Sequence, residues 1–199
     1  MEVRSSFSIW VLLLILCSCT SQQIMAQPAP WKQLIGTKAP EWSLDRWVNS
    51  KPLSVQELKG KVVLVRWWLE TCPYCRATAP SLNEFHEKYA EKGLVIIGMY
   101  HPKPYGRRVS REEVTRYSEV KDFKFPIAID EEWATLKRYW FDQGGEAFTS
   151  VSFIIDREGF IRYIHPGGSY NAEGLPYNDP QWRHDYHDVK AMLELLLEK

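Results

Sequence analysis

Two cysteines three positions apart carry the clearest chemistry in this sequence. They stand in Cys72-Pro73-Tyr74-Cys75, after an apolar run and before a stretch predicted to be helical. The free N–H groups and the positive end of a helix favour an anion, so Cys72 should have a lowered pKa and react as a thiolate. Cys75, on the same helical face, is placed to attack a mixed disulfide on Cys72. The pattern predicts a redox dithiol, with Cys72 as the nucleophile and Cys75 as the resolving thiol.

Residues next to the cysteines should tune this pair. Pro73 lacks an N–H and has a pre-set φ, which suits the first turn of a helix. Tyr74 lies between the two cysteines, and Glu70 lies in the turn before them. We expect Pro73, Tyr74 and Glu70 to influence the redox properties of the dithiol.

The competing interpretation is that the C-x-x-C pair is half of a zinc site. A structural zinc site needs four ligands, and therefore two further Cys or His at suitable spacing. The other two cysteines, Cys17 and Cys19, lie near the N-terminus, and no second C-x-x-C occurs. A C-x-x-C beside a βαβ pattern favours a thiol redox site. We therefore expect neither a metal nor another cofactor.

The elements that must hold the dithiol follow from the apolar pattern. Residues 62–65 with Trp67 and Trp68 are apolar on both faces, which is typical of a buried central strand of a parallel sheet. A helix is predicted to follow over residues 77–89. The other predicted strands cover 94–99, 125–129, 151–155 and 160–164, and the other predicted helices cover 110–123, 130–140 and 185–198. Capping-box patterns start at Ser54 and Ser110.

Length and charge bound the class of protein. The 199 residues suit one domain with additional segments, and a hydrophobic content of 45% is enough for a core. The 25 basic residues balance the 25 acidic ones, so the formal net charge is zero. Nothing in this balance favours nucleic acid or an anionic membrane surface as a partner.

Several motifs resemble those of the thioredoxin superfamily. They are residues 36–44, 53–64, Pro80, 125–130 and 153–159, which together span about residues 36–165. Within the superfamily the chain is similar to the extracytoplasmic, membrane-tethered TlpA/ResA-type thiol–disulfide oxidoreductases, a redoxin or AhpC/TSA-like group.

This resemblance implies an α/β thioredoxin-like fold. Such a fold has a central mixed sheet flanked by helices, here with a strand–helix insertion between core strands, and residues 36–199 would form the domain. The resemblance also implies protein thiol or disulfide substrates and an upstream redox partner that recharges the dithiol. The direction of exchange stays open, because members of the fold range from about −270 to −120 mV.

The N-terminal segment has the pattern of a signal or lipoprotein leader over residues 1–26. Its apolar run, residues 9–16, is too short for the ~20 residues that span a bilayer, which is typical of a signal peptide. Residues 16–19, Leu-Cys-Ser-Cys, resemble a bacterial lipobox with Cys19 as the lipidated residue. The rival is cleavage after Ala26. Either route predicts an extracytoplasmic protein, and the favoured one predicts a lipid anchor in the bacterial cell envelope.

Export also changes what the cysteines can do. After lipobox processing, Cys72 and Cys75 would be the remaining pair of thiols, so the disulfide they form would be a functional one rather than a structural one. Residues 27–38, with few apolar side chains, are predicted to be a tether between the anchor and the domain.

The chain departs from the superfamily pattern at Ser150. Most thioredoxin-like proteins have a cis-proline that packs on the dithiol and positions the substrate backbone, and by alignment Ser150 takes its place. The alternative is that the loop is shifted and no residue plays this role. A cis bond before a non-proline residue costs about 3 kcal/mol, so we predict a trans Thr149–Ser150 peptide. By the same resemblance, Thr149, Ser150 and Val151 are expected to bind substrate.

A second departure is Arg66, which stands where thioredoxin has a buried aspartate. Arginine stays protonated and cannot act as a base. If it points toward the dithiol, it should lower the thiolate pKa and make the disulfide more oxidising. If it points outward, it should pair with a carboxylate and matter little.

Two weaker groups of residues remain. His165, His184 and His187 could ligate a metal, although isolated histidines near helix starts are more often caps or surface groups. The aromatic residues of the loop before the last helix could instead form a substrate lid or simply pack over the sheet edge; they are Tyr170, Tyr177 and Trp182.

The favoured function is thiol–disulfide exchange on extracytoplasmic protein disulfides, and two alternatives remain. A peroxiredoxin-like thiol peroxidase shares the insertion. Its site usually has Thr or Ser three residues before the reactive cysteine, where this chain has Leu69. A copper or iron–sulfur carrier would use Cys72, Cys75 and a histidine.

Overall fold

The computed structural model describes residues 28–146, 148–172 and 179–199. The predicted leader and the predicted lipidation site Cys19 lie outside these residues. Among the described helices, none combines the length and the apolar character needed to cross a bilayer.

A six-stranded mixed sheet forms the centre of the domain. Its strands are β1 (Trp47–Val48), β2 (Val62–Trp68), β3 (Leu94–Tyr100), β4 (Ile127–Ile129), β5 (Ser152–Ile155) and β6 (Ile161–His165). Their order across the sheet is β1-β4-β3-β2-β5-β6. β2 pairs parallel to β3 and antiparallel to β5, so Val65 lies between Ile97 and Phe153. The predicted central strand is confirmed.

Helices cover both faces of the sheet. They are α1 (Pro73–Tyr89), α2 (Arg111–Val120), α3 (Ala134–Tyr139) and α4 (Pro180–Leu197), with two 3-10 helices at Pro30–Leu34 and Phe141–Gln143. The block α2–β4–α3 lies between β3 and β5 in the chain, which is the predicted strand–helix insertion. The predicted α/β architecture, a central mixed sheet flanked by helices with this insertion, is confirmed.

Side-chain alternation along β2 divides the core into two layers. Leu64 and Trp68 pack in the layer that contains α1 and α4, whereas Val65 and Trp67 pack in the layer that contains α3. Because side chains alternate along a strand with a period of two residues, Arg66 belongs to the α1 side.

Several predicted boundaries shift for local reasons. α4 begins at Pro180 rather than at residue 185, because Asp179 is its N-cap and accepts a hydrogen bond from the Gln181 N–H at 2.8 Å. β4 begins at Ile127 rather than at residue 125; Pro126, just before it, has no N–H for a ladder. The capping box at Ser110 is confirmed, with Glu113 bonded back to the Ser110 N–H.

The predicted tether over residues 27–38 is wrong from Pro30 onward. The 3-10 helix Pro30–Leu34 occupies this stretch, and the ring of Trp31 lies 5.6 Å from that of Trp140. The Gly36 N–H donates to the Ile161 carbonyl at 2.8 Å. Trp31 and Leu34 are partly buried against the core cluster that contains Trp140, so the segment packs on the domain.

Candidate active site

The dithiol lies where β2 passes into α1. Cys72 is the N-cap of α1, and its Sγ accepts a hydrogen bond from the Cys75 N–H at 3.3 Å. Both cysteines are free thiols; Cys72 is half-buried, and Cys75 is only 2% exposed. The accessible sulfur is therefore the one that the sequence predicts to be the nucleophile, and the second thiol lies behind it.

The surroundings of the two thiols shift their pKa values in opposite directions. The Cys75 thiol, the backbone N–H groups of Cys75 and Tyr74 and the charge of Arg66 lower the pKa of Cys72 to about 6, against the opposing effect of burial. Burial, together with the hydrogen bond to Cys72, raises the pKa of Cys75 well above its usual range. At neutral pH, Cys72 is therefore the thiolate and Cys75 keeps its proton.

Arg66 lies beneath the dithiol and is fully buried. Its guanidinium donates to the Gly168 carbonyl at 2.7 Å, and to the hydroxyls of Ser152 at 3.3 Å and Thr78 at 3.4 Å. No carboxylate of the described residues forms an ion pair with it. Its charge lowers the pKa values of both cysteines. Of the two predicted orientations, the structure has the one toward the dithiol.

Tyr170 belongs to the same buried layer and is not a lid. The Arg66 guanidinium lies 5.3 Å from the Tyr170 ring centroid, and the Tyr170 hydroxyl is 3.1 Å from Ser152 Oγ. Its backbone N–H donates to Thr78 at 3.4 Å. Trp182 lies nearer the surface, with its ring 6.1 Å from that of Tyr74. The third predicted lid residue, Tyr177, lies outside the described residues.

A shallow groove opens beside Cys72. Its volume is about 260 Å3, and it is lined by Leu69, Thr71, Cys72, Pro73, Tyr74, Lys103, Phe148, Thr149 and Ser150. The Thr149–Ser150 peptide is trans, as predicted. Val151, which was expected to bind substrate with these two residues, is instead fully buried, and its carbonyl accepts the Trp67 N–H at 3.0 Å.

Glu70 is held by partners other than the thiols. Its carboxylate accepts hydrogen bonds from the Tyr100 hydroxyl and from Arg107, both at 2.7 Å. Burial acts to raise the pKa of Glu70, but the hydrogen bonds from Tyr100, from the Glu70 backbone and from Arg107, together with the Arg107 charge, outweigh it and lower the pKa. Glu70 thus anchors the turn before Cys72 to the loop after β3.

Lys121 reaches the site from the inserted α2 block, and no sequence pattern indicated it. Its Nζ lies 3.4 Å from the Glu70 carbonyl oxygen and 5.8 Å from the Trp68 ring centroid. Burial lowers its pKa, while the two cysteines act to raise it. Phe148 and Gly168 were missed for the same reason, since the fold brings them to the site from separate parts of the chain. Thr78, one helical turn after Tyr74 in α1, was also missed.

The histidines do not gather into a ligand set. His165 Nε2 lies 3.2 Å from the Asp185 carboxylate, and His184 lies 3.6 Å from that of Asp188. Within the part of the chain that the structure describes, no group of three or more His, Cys, Asp or Glu side chains could hold a metal ion.

Comparison with known proteins agrees with this geometry. The model of the AhpC/TSA family matches residues 35–164. The thiol–disulfide oxidoreductase ResA of Bacillus thuringiensis subsp. konkukian is 29% identical over 153 residues, covering 76% of this chain and 82% of ResA. Protein DipZ of Mycobacterium bovis is 30% identical over 134 residues, covering 63% of this chain; the match spans only 18% of DipZ.

Solved structures show the same fold. A thiol–disulfide isomerase from Corynebacterium glutamicum superposes with a TM-score of 0.61 at 25% identity, over 81% of this chain and 97% of that one. A protein from Chlorobium tepidum described as the thiol:disulfide interchange protein DsbE gives a TM-score of 0.64 at 21% identity, over 82% and 97% of the two chains.

These relatives share the fold that surrounds the dithiol, and those named for an activity are named for thiol–disulfide exchange. The predicted enzyme class, a thioredoxin-like thiol–disulfide oxidoreductase, is therefore confirmed. With its family model covering most of the domain, the chain belongs to the AhpC/TSA family and, within the thioredoxin superfamily, to the TlpA/ResA type.

Proposed function

We propose that the protein exchanges disulfides with polypeptide substrates through Cys72 and Cys75. The Cys72 thiolate attacks one sulfur of the substrate disulfide, forms a mixed disulfide and releases the other substrate sulfur as a thiolate. Cys75 then gives its proton to the substrate thiolate released in the first step and attacks Cys72 Sγ. This step closes the Cys72–Cys75 disulfide and releases the second substrate thiolate. The substrate gains two electrons, and an upstream dithiol returns them to the protein by the reverse steps.

The observation that carries the proposal is the contrast between the two thiols. Cys72 is accessible, caps a helix and has a pKa of about 6, whereas Cys75 is buried and protonated behind it. Thiol–disulfide exchange needs an accessible, ionised thiol that attacks and a second thiol close behind it that resolves the mixed disulfide. The peroxidase alternative finds no support here, because Leu69, at the position of the usual hydroxyl residue, is apolar and only 5% exposed.

Arg66 stabilises the Cys72 thiolate in this proposal. Support comes from its burial and from its neutral hydrogen-bond partners, Ser152, Thr78 and the Gly168 carbonyl. A buried cation without a carboxylate partner among the described residues favours an anion nearby, and the thiolate supplies one. Because the thiolate exists only in the reduced protein, Arg66 makes the disulfide form more oxidising.

The experiment is insulin reduction by the full chain in mild detergent, with a dithiol as electron donor. The wild type should accelerate insulin precipitation, and Cys72→Ser should be inactive. Cys75→Ser should accumulate a mixed disulfide between Cys72 and the substrate, because the resolving step is lost. Full activity in Cys72→Ser, or rapid turnover of peroxide in place of disulfides, contradicts the proposal.

The proposed place of action is outside the cytoplasm, with a lipid on Cys19. Support comes from the leader pattern over residues 1–26 and from the resemblance to the extracytoplasmic TlpA/ResA type. Fatty-acid labelling in a bacterial host should mark the wild type and the control Cys17→Ser but not Cys19→Ser. Labelling that persists in Cys19→Ser contradicts the anchor.

A further inference from the structure

A second groove lies beside the dithiol groove, outside the exchange chemistry described above. Its main walls are Pro30, Trp31, Trp140, Phe148 and Pro166, and its volume is about 480 Å3. We call it the Trp31–Trp140 groove. Among the described residues that line it, Glu146 is the one that carries a charge. The groove is therefore largely apolar and aromatic.

Glycine contacts hold the walls of this groove in place. A Cβ on Gly145 would come within 2.2 Å of the Trp140 indole, so only glycine lets the backbone pack directly on that ring. Gly167, with a φ of +121°, packs in the same way against Phe148, where a Cβ would also lie at 2.2 Å. The groove is thus formed by close packing and not by a gap between loosely placed side chains.

Phe148 joins the Trp31–Trp140 groove to the groove beside Cys72, because it lines both. Its side chain is 40% exposed, and its ring meets that of Tyr74 edge-on with centroids 5.4 Å apart. A polypeptide that lies over Thr149 to bring its disulfide to Cys72 therefore lies next to the second groove.

The chemistry of the walls indicates what would fill the groove. An aromatic or large aliphatic side chain buried there would lose contact with water against Trp31, Trp140 and Phe148, which favours binding. The walls therefore favour an apolar side chain over a charged one.

We infer that the Trp31–Trp140 groove is a specificity subsite for an aromatic or large aliphatic side chain near the target disulfide of a polypeptide substrate. The inference rests on the proposed exchange activity and adds the class of substrate that the site selects. It gives the segment Pro30–Leu34, which precedes the sheet, a part in substrate choice.

The test uses peptide substrates that contain a disulfide. In each peptide, one position near the cysteine is occupied by Phe, Leu, Lys or Gly, and this position is moved in turn along both sides of the cysteine. The wild type should show a kcat/KM about tenfold higher for Phe than for Gly at the best position, since burying such a side chain favours binding by at least that factor. In Trp31→Ala, the Phe-to-Gly ratio should fall below about twofold. The ratio is the readout, because a general loss of activity lowers both rates together.

Leu195→Ala is the matched control. Leu195 is an exposed apolar residue in a groove with Asp156 and Arg157, which lie at the other end of β5 from the dithiol. This variant should keep the wild-type ratio. The subsite is excluded if the wild type shows no preference for Phe at any position, or if Trp31→Ala keeps the preference.

A measurement on the Cys75→Ser protein covers the case in which Trp31→Ala fails to fold. When Cys72 is trapped as a mixed disulfide with the Phe peptide, the indole N–H resonances of Trp31 and Trp140 should shift; with the Gly peptide they should stay in place. Equal shifts with both peptides contradict the subsite. Turnover of hydroxyethyl disulfide, which is too small to fill the groove, tests the exchange activity separately from the subsite.

Discussion

At the scale of single residues, the central feature is a buried arginine beneath a thiolate. Arg66 is fully buried; its guanidinium donates hydrogen bonds to neutral oxygens and lies over the face of Tyr170. Burying a charge without a counter-ion is costly, and the cost falls when an anion forms nearby. The Cys72 thiolate is such an anion, so the two charges should be coupled energetically.

Replacing this arginine should therefore change the thiol more than the fold. In Arg66→Met the pKa of Cys72 should rise by about one unit, because a nearby cation favours the thiolate. The disulfide should become less oxidising in the same variant. The readouts are thiolate absorbance against pH and equilibration with glutathione.

Arg66→Lys is the control for charge. It keeps a cation at this position, so much of the lowered pKa of Cys72 should remain. A pKa of Cys72 that is the same in wild type and Arg66→Met contradicts the role of Arg66.

The pH dependence of Cys72 follows from its lowered pKa. Alkylation of reduced protein should be half-maximal near pH 6, which is the pKa of Cys72 in the folded state. In the unfolded chain the pKa is about 8.5, so the folded thiolate stabilises the reduced protein fully above that pH. This stabilisation is lost as the pH falls through about 6. A half-maximal rate near pH 8.5 for the folded protein contradicts the assignment.

At the scale of elements, the end of each strand decides which loops meet at the dithiol. β2 and β3 run parallel, so their carboxyl ends bring the turn at Glu70 next to the loop that carries Arg107. α2 follows that loop. Its C-cap residue, Lys121, donates a hydrogen bond to the Glu70 carbonyl. The inserted block therefore supports the turn that presents Cys72.

The start of α2 should matter for stability. In Ser110→Ala the side chain can no longer accept the Glu113 N–H, now bonded at 3.1 Å, so the free energy of unfolding should fall by about 1 kcal/mol. Ser110→Thr keeps a hydroxyl and should stay within a few tenths of a kcal/mol of the wild type. Urea titration measures the free energy of unfolding of both variants. An equal loss of stability in the two would mean that the N-cap hydrogen bond does not cause it.

Sequence patterns predicted the elements with strong local signals. The apolar run before Cys72, the capping box at Ser110 and the hairpin between β5 and β6 each depend on neighbouring residues, so a single sequence contains the information. The packing of residues 30–34 depends on Trp140, which lies more than a hundred positions away, and local composition predicted a tether instead.

For the site, too, local sequence patterns predicted some features but not those that depend on long-range packing. The cysteines and the roles proposed for them follow from their spacing and from the helix that begins between them. The direction of Arg66 was open, because its layer is set by which face of the sheet α1 covers. Phe148 and Lys121 carry no local signal at all; they reach the dithiol only through the folded topology.

At the scale of the whole molecule, the two ends of the sheet strands differ in what they carry. One end of the strands carries the dithiol, its groove and the Trp31–Trp140 groove, all connected through Phe148. The other end carries the turn at Asp156, which is held by hydrogen bonds to the N–H groups of Glu158 and Phe160. The proposed chemistry and the proposed substrate contacts therefore lie at one end of the sheet, and the rest of the domain holds that end in place.

The most direct test of the account is a redox titration of the full chain, with thiols counted by alkylation and mass spectrometry. The account predicts that Cys72 and Cys75 lose their thiols together in a single two-electron transition and regain them on reduction. A chain in which these two sulfurs never form an exchangeable bond in any redox buffer contradicts it, as does full exchange activity after both are replaced by serine.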